Sequence, residues 1–181
     1  MEVLGGVAAL GRLDVDPLRA VVDGFSPARW AEVVYRQDTY AMHRATESVL
    51  ALFVRADTHV EDPLLLAAIA PQLAAVTLAV RRHRNDPGLG VVQVVFARLP
   101  AGARIAPHRD GGSLAAGNRV HVPVVTAPGA TLTIAGTSHH LLTGQIYEID
   151  NVAEHSAENV SETDRVHLIV DLCRPRRRDE L

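Results

Sequence analysis

From Val91 to Leu172 the sequence is cut into short β-prone runs by turn-forming residues, and this punctuation constrains the fold more than any other feature. The runs are Val91 to Leu99, Arg104 to Asp110, Arg119 to Val125, Thr131 to Ala135, His139 to Leu142, Gln145 to Ile149 and Arg165 to Leu172. Pro100-Ala101-Gly102, Gly111-Gly112, Pro128-Gly129, Gly136 and Gly144 separate them. Strands of this length and spacing bury their apolar faces by pairing with antiparallel neighbours through tight turns, as in an all-β sandwich or barrel. The expectation for residues 89–173 is a mainly β fold, a cupin-like jelly roll.

Residues 1–88 read as buttressing helices with one strand. Pro17 to Val22 is helical in pattern, and Ser26 is placed to cap a second helix that has Pro27 in its first turn and runs through Trp30, Val33 and Val34. Thr46 to Val54 reads as a buried strand. Pro63 to Arg84 carries apolar residues at helical spacing, with Arg81, Arg82 and Arg84 in its last turn, before Asn85-Asp86-Pro87-Gly88 breaks it. No repeat or low-complexity linker divides the 181 residues, and 48% hydrophobic side chains suffice for a single core. One domain over 1–181 is expected, ending in a basic tail at 174–181.

Charge narrows the partners. The formal net charge is -3 and no basic face precedes the tail, so nucleic acid is not an expected partner. All eighteen basic side chains are Arg, a bias that hints at a GC-rich bacterial genome. No apolar run approaches the ~20 residues that span a bilayer, and no basic segment leads the N-terminus as in an export signal. A lone Cys173 allows no internal disulfide, so a cytoplasmic setting is expected and the terminal Arg178-Asp179-Glu180-Leu181 is read as chance.

The chemistry-bearing residues lie within the β runs. His108 and Asp110 are two apart, so on an extended strand they share a face and can grip one metal ion. With nine histidines in the chain, such a motif also arises by chance, and a surface His and Asp at a turn would look the same. His155 adds a second imidazole just before the last strand run. Two His and one carboxylate form a facial set that leaves three of six octahedral positions on iron(II) for a bidentate 2-oxo acid and dioxygen. A closed structural zinc site would call for a fourth protein ligand.

Strand parity adds a cation. In Arg165-Val166-His167-Leu168-Ile169-Val170-Asp171, alternation sends Arg165, His167 and Ile169 to one face, where a buried guanidinium needs an anion; a dicarboxylate such as 2-oxoglutarate would supply it. Arg119 and His121 share a face in the same way, with Val120 and Val122 on the other. Surface charges on an edge strand are the alternative reading of both pairs. His139 and His140 point to opposite sides of a strand, so one exposed and one cavity-facing ring is expected, not a second metal site.

Five stretches together resemble the aspartyl/asparaginyl β-hydroxylase family of 2-oxoglutarate oxygenases. They are Phe96-Ala97-Arg98-Leu99-Pro100-Ala101-Gly102-Ala103-Arg104-Ile105-Ala106-Pro107-His108-Arg109-Asp110, Asn118-Arg119-Val120-His121-Val122-Pro123, Gly144-Gln145-Ile146-Tyr147-Glu148-Ile149-Asp150-Asn151, His155-Ser156-Ala157-Glu158-Asn159 and Asp164-Arg165-Val166-His167-Leu168-Ile169-Val170-Asp171. His43-Arg44-Ala45-Thr46-Glu47-Ser48-Val49 also resembles the first strand of small bacterial members, including those that hydroxylate free amino acids.

The resemblance implies a double-stranded β-helix, iron(II) on His108, Asp110 and His155, Arg165 on the distal carboxylate of 2-oxoglutarate, and Arg119 and His121 near its other end. It further implies hydroxylation of an unactivated C–H bond of an amino acid, a carrier-bound amino acid or a peptidyl residue, using dioxygen and releasing succinate and carbon dioxide. The animal branch has glycine where Asp110 stands and a co-substrate-binding serine where Ala97 stands; the full triad points to the bacterial group, and His167 either compensates for the serine or is a simple core histidine. Tyr40, His43, Arg98, Asn159 and His167 are substrate-contact candidates by resemblance or position. The competing expectation is a non-catalytic cupin-like module that binds a metal or small acid, and an inward Arg165 distinguishes the two.

Overall fold

The computed structural model describes residues 6–32, 44–55, 58–111 and 117–174. In chain order their elements are β1 (Val7–Arg12), α1 (Asp16–Asp23), α2 (Pro27–Ala31), β2 (Glu47–Val54), β3 (His59–Glu61), α3 (Pro63–Ala68), α4 (Ala70–Arg84), β4 (Gly90–Leu99), β5 (Arg104–His108), β6 (Asn118–Val125), β7 (Ala130–Ile134), β8 (Thr137–His139), β9 (Gln145–Ile149), β10 (His155–Asn159) and β11 (Arg165–Cys173). The strands form two antiparallel sheets, ordered β1-β9-β6-β11-β4-β2-β3 and β5-β10-β7-β8. This is the expected jelly roll.

Strand parity sorts the large sheet into a helix-facing side and an inner side. Val166, Leu168, Val170 and Leu172 of β11 join Val94, Phe96, Val120, Val122 and Val124 in one apolar cluster with Leu18, Val22, Trp30, Leu65, Ile69, Val76 and Val80 of the helical segments. Burying each such side chain is worth about 1.5–3 kcal/mol, so the helices are held by the sheet more than by their own propensity. Phe96 meets Phe25 edge-on at 5.5 Å, and Phe25 meets Trp30 at 5.4 Å. The alternate residues face inward, where Leu99, Leu132, Ile134, Leu141, Ile149 and Ala157 fill part of the space between the sheets.

Local signals explain the helix ends. The Ser26 side chain accepts from the Arg29 N–H, as expected, and the Asp62 side chain accepts from Leu65 N–H to start α3. Asn85 adopts the left-handed conformation, φ 51°, and closes α4.

Several expectations change, among them the single strand expected over residues 1–88, where His59–Glu61 also pairs with β2. Pro63 to Arg84 is two helices, because the chain departs from helical geometry at Ile69 (φ -110°, ψ 9°) and Pro71, lacking an N–H, begins a new first turn. Val7–Arg12 is a strand paired with β9, with an irregularity between Ala9 and Gly11. The run at His139 is also displaced: β8 ends there, and residues 140–142 lie outside any strand. Val33 and Val34 lie outside the described residues.

Candidate active site

The β5–β10 ladder sets His108 directly opposite His155, with ring centroids 4.2 Å apart. Asp110 follows just beyond the end of β5, where its N–H donates to the Asn151 carbonyl at 3.0 Å. One ligand atom from each of His108, Asp110 and His155 lies within 4.8 Å of the others. No other such cluster of His, Cys, Asp or Glu occurs among the described residues.

Each imidazole is oriented by its own chain. His108 Nδ1 lies 2.9 Å from the Ala106 carbonyl, and His155 Nδ1 lies 3.0 Å from the Ala153 carbonyl. A carbonyl only accepts, so Nδ1 carries the proton in both rings and Nε2 keeps its lone pair for a metal. Burial pushes the His155 pKa down, which favours the neutral, ligating form.

Asp110 is held by one oxygen and offers the other. Its Oδ2 accepts from Arg119 Nη1 and, at 3.1 Å, from Asn151 Nδ2. Oδ1 lies 3.9 Å from His108 Nε2. Burial alone would raise the carboxyl pKa, but the Arg119 charge and the Asn151 hydrogen bond outweigh it and hold Asp110 below the usual range. One carboxylate and two imidazoles whose ligand atoms converge suit a divalent cation and leave positions for further ligands.

Arg119, 6% exposed on interior strand β6, is paired twice. Besides Asp110 it donates through Nε and Nη2, both at 2.8 Å, to the two oxygens of Asp171 on β11. Burial works against its charge, yet the two carboxylates raise its pKa above the ordinary arginine value. Much of its donor capacity is spent inside the protein.

Arg165 contrasts with it. It is 4% exposed on β11, its Nε has no hydrogen-bond partner, and no carboxylate among the described residues pairs with it. Burial lowers its pKa to about 10. Two residues on, His167 is buried, with Nδ1 3.2 Å from His121 Nδ1 and no partner for Nε2. Burial, then the charges of Arg165, His121 and His140, push its pKa well below normal. The edge-strand reading of these charges fails, since β6 and β11 lie inside the sheet.

A narrow cleft joins these groups. His108, His155, Arg119, His121 and Arg165 line it together with Thr46, Ala97, Ile105, Leu132, Ile149 and Ile169. Other candidates fall elsewhere. Arg98 shares the helix-facing side with Phe96, lies over the Trp30 ring at 4.6 Å and pairs with Glu47, so it does not reach the cleft. Asn159 donates to the carbonyls of Leu99, Pro100 and Thr163 and accepts from Ser161, which makes it the knot of a turn and not a substrate contact. His139 and His140 are both half-buried, and His140 Nδ1 reaches the Ala130 carbonyl at 3.1 Å, so the exposed and cavity-facing split is not found. Tyr40 and His43 lie outside the described residues. Asn151 and Asp171 were missed; period-2 parity with Arg165 signals an inward Asp171, whereas nothing in the local pattern signals Asn151.

Comparison with known proteins agrees with the geometry. The family model for aspartyl/asparaginyl beta-hydroxylase matches residues 66–175. AviO1 from Streptomyces viridochromogenes is similar in structure, with a TM-score of 0.63 and 11% identity over 94% of this chain and 90% of that one. A prolyl-4-hydroxylase from Pseudomonas putida gives 0.53 and 18% identity over 95% and 94%. A 2OG-Fe(II) oxygenase family oxidoreductase from Burkholderia pseudomallei gives 0.57 and 14% over 72% and 68%. At these identities the neighbours establish the fold, and no curated protein sequence matches the chain. The family match covers well over half of the chain and contains every residue of the metal-ligating cluster, the doubly paired arginine and the orphaned arginine, so the chain belongs to the aspartyl/asparaginyl β-hydroxylase family of enzymes.

Proposed function

We propose that residues 1–181 act as a single iron(II)- and 2-oxoglutarate-dependent oxygenase domain that hydroxylates an unactivated C–H bond. The observation that carries this reading is Arg165: a buried cation without a carboxylate partner among the described residues, lining the same cleft as His108 and His155. Burying an unpaired charge is costly, so the site calls for an anion. A small dicarboxylate that reaches from Arg165 to a metal on the other wall meets that demand, and a purely structural metal site has no use for it.

Within this reading His108 and His155 hold the metal through Nε2 and Asp110 holds it through Oδ1. When bound there, iron(II) with 2-oxoglutarate and dioxygen supplies the oxidising power, and succinate and carbon dioxide are the co-products. Arg165 takes the distal carboxylate as a planar fork. His167, held neutral by burial, can donate from Nε2 beside it if its Nδ1 accepts from His121 Nδ1–H. Arg119 fixes Asp110, and His121 borders the near end of the co-substrate. Ile105, Leu132, Ile149 and Ile169 exclude water and give the site its low dielectric. The substrate class we propose is an amino acid, free, carrier-bound or within a peptide, with partners of that kind and not nucleic acid. Among the described residues no helix is long and apolar enough to cross a membrane.

The test is succinate formation with iron and 2-oxoglutarate, offered free amino acids, carrier-loaded amino acids and short peptides. Succinate that requires both additions and rises with one substrate class supports the proposal. Tight 2-oxoglutarate binding without iron-dependent succinate under any of these conditions would favour a non-catalytic binding module.

A further inference from the structure

Asp171 is buried, 3% exposed, and directly opposite Arg119 in the β6–β11 ladder. Its two oxygens accept from two donors of one guanidinium, both at 2.8 Å, which fixes the plane of that group. The third arm of the same guanidinium reaches Asp110 Oδ2. Asp110 itself lies past the end of β5, where no ladder holds its side chain. A buried ion pair of this kind contributes little net stability compared with apolar packing. Its effect therefore falls on placement: with the guanidinium fixed, Oδ2 is occupied and Oδ1 is the oxygen left for the cluster.

We infer that Asp171 is a positioning residue for the metal centre, acting through Arg119 to present Asp110 as a one-oxygen ligand. The inference rests on the metal-site reading above. It also divides the two inward arginines by task, Arg119 serving the carboxylate ligand and Arg165 the co-substrate.

The experiment is calorimetric titration of Co(II) into metal-free protein, for wild type, Asp171→Asn, Asp110→Ala and the double variant Asp110→Ala/Asp171→Asn. Loss of a group that orients a metal ligand typically costs ~10–100-fold in affinity, and Asp171→Asn should fall in that range. In the Asp110→Ala background the same change should have no further effect, because the residue through which Asp171 acts is gone. If Asp171→Asn alone fails to fold, Arg119→Gln/Asp171→Asn removes the buried pair as a unit, and the same weakening, again absent without Asp110, is expected. Unchanged Co(II) affinity on losing Asp171, or an equal fold-loss with and without Asp110, overturns the inference. Absence of Co(II) binding by wild type would instead overturn the metal-site reading.

Discussion

His108 and His155 are ladder partners whose Nδ1 atoms each bond the carbonyl two residues upstream, at 2.9 and 3.0 Å. Each ring on the two adjacent strands is thereby fixed by its own backbone, and Asp110 is held toward them by Arg119 and Asn151.

Replacing either histidine by Ala removes a ligand, so His108→Ala and His155→Ala should abolish turnover and weaken Co(II) binding by more than the ~10–100-fold typical of losing an orienting partner. The fold should persist, because neither ring belongs to an apolar core cluster. Calorimetry and thermal unfolding measure the two effects separately. Asp110→Gly should be milder, with residual activity, since two imidazoles and water can still hold a metal.

Arg165 should cost stability while it serves function. In the protein without co-substrate its guanidinium is buried with no carboxylate partner among the described residues, so Arg165→Met, similar in length and apolar, should raise the unfolding free energy by about 1–3 kcal/mol. The same variant should lose the extra stabilisation that 2-oxoglutarate gives the metal-loaded wild type. Urea unfolding with and without co-substrate checks both; a destabilised Arg165→Met protein would mean that the cation already has a partner.

Acid should destabilise the metal-free protein through His167. Its folded pKa lies well below the ordinary 6.5, so between those two values the unfolded chain binds a proton that the folded chain refuses. Stability is complete above pH 6.5 and falls as pH drops below it, by about 1.4 kcal/mol per unit for one histidine. The buried His155 acts in the same direction. Asp110 enters later, its contribution being present above 3.8 and lost as pH falls through its lowered folded pKa. Urea midpoints at pH 6.5 and one unit lower should converge in His167→Gln relative to wild type.

Much of this site was legible because period-2 alternation is a strict geometric rule. Arg165, His167, Arg119 and His121 face inward as their parity requires, with Val120, Val122, Val166 and Leu168 on the helix side. The same rule applied to Phe96 and Arg98 would have sent Arg98 away from the cleft. Asn159 illustrates the opposite difficulty, since a strand-end Asn serves a turn or a ligand equally well until its partners are seen. Val7–Arg12 escaped because its small residues and interior glycine carry a weak strand pattern, and it is the pairing with β9 that makes it a strand. Asp171 and Asn151 act through residues distant in sequence, a relationship that strand order alone brings about.

The central claim is that Arg165 binds the far carboxylate of 2-oxoglutarate opposite the His108–Asp110–His155 centre, and isothermal titration of 2-oxoglutarate into anaerobic, Zn(II)-loaded protein tests it most directly. Removing one partner of a buried charged pair costs about 3–5 kcal/mol, so Arg165→Ala should bind roughly two to four powers of ten more weakly than wild type, and Arg165→Lys should recover little of the loss. Equal affinities for wild type and Arg165→Ala would contradict the account.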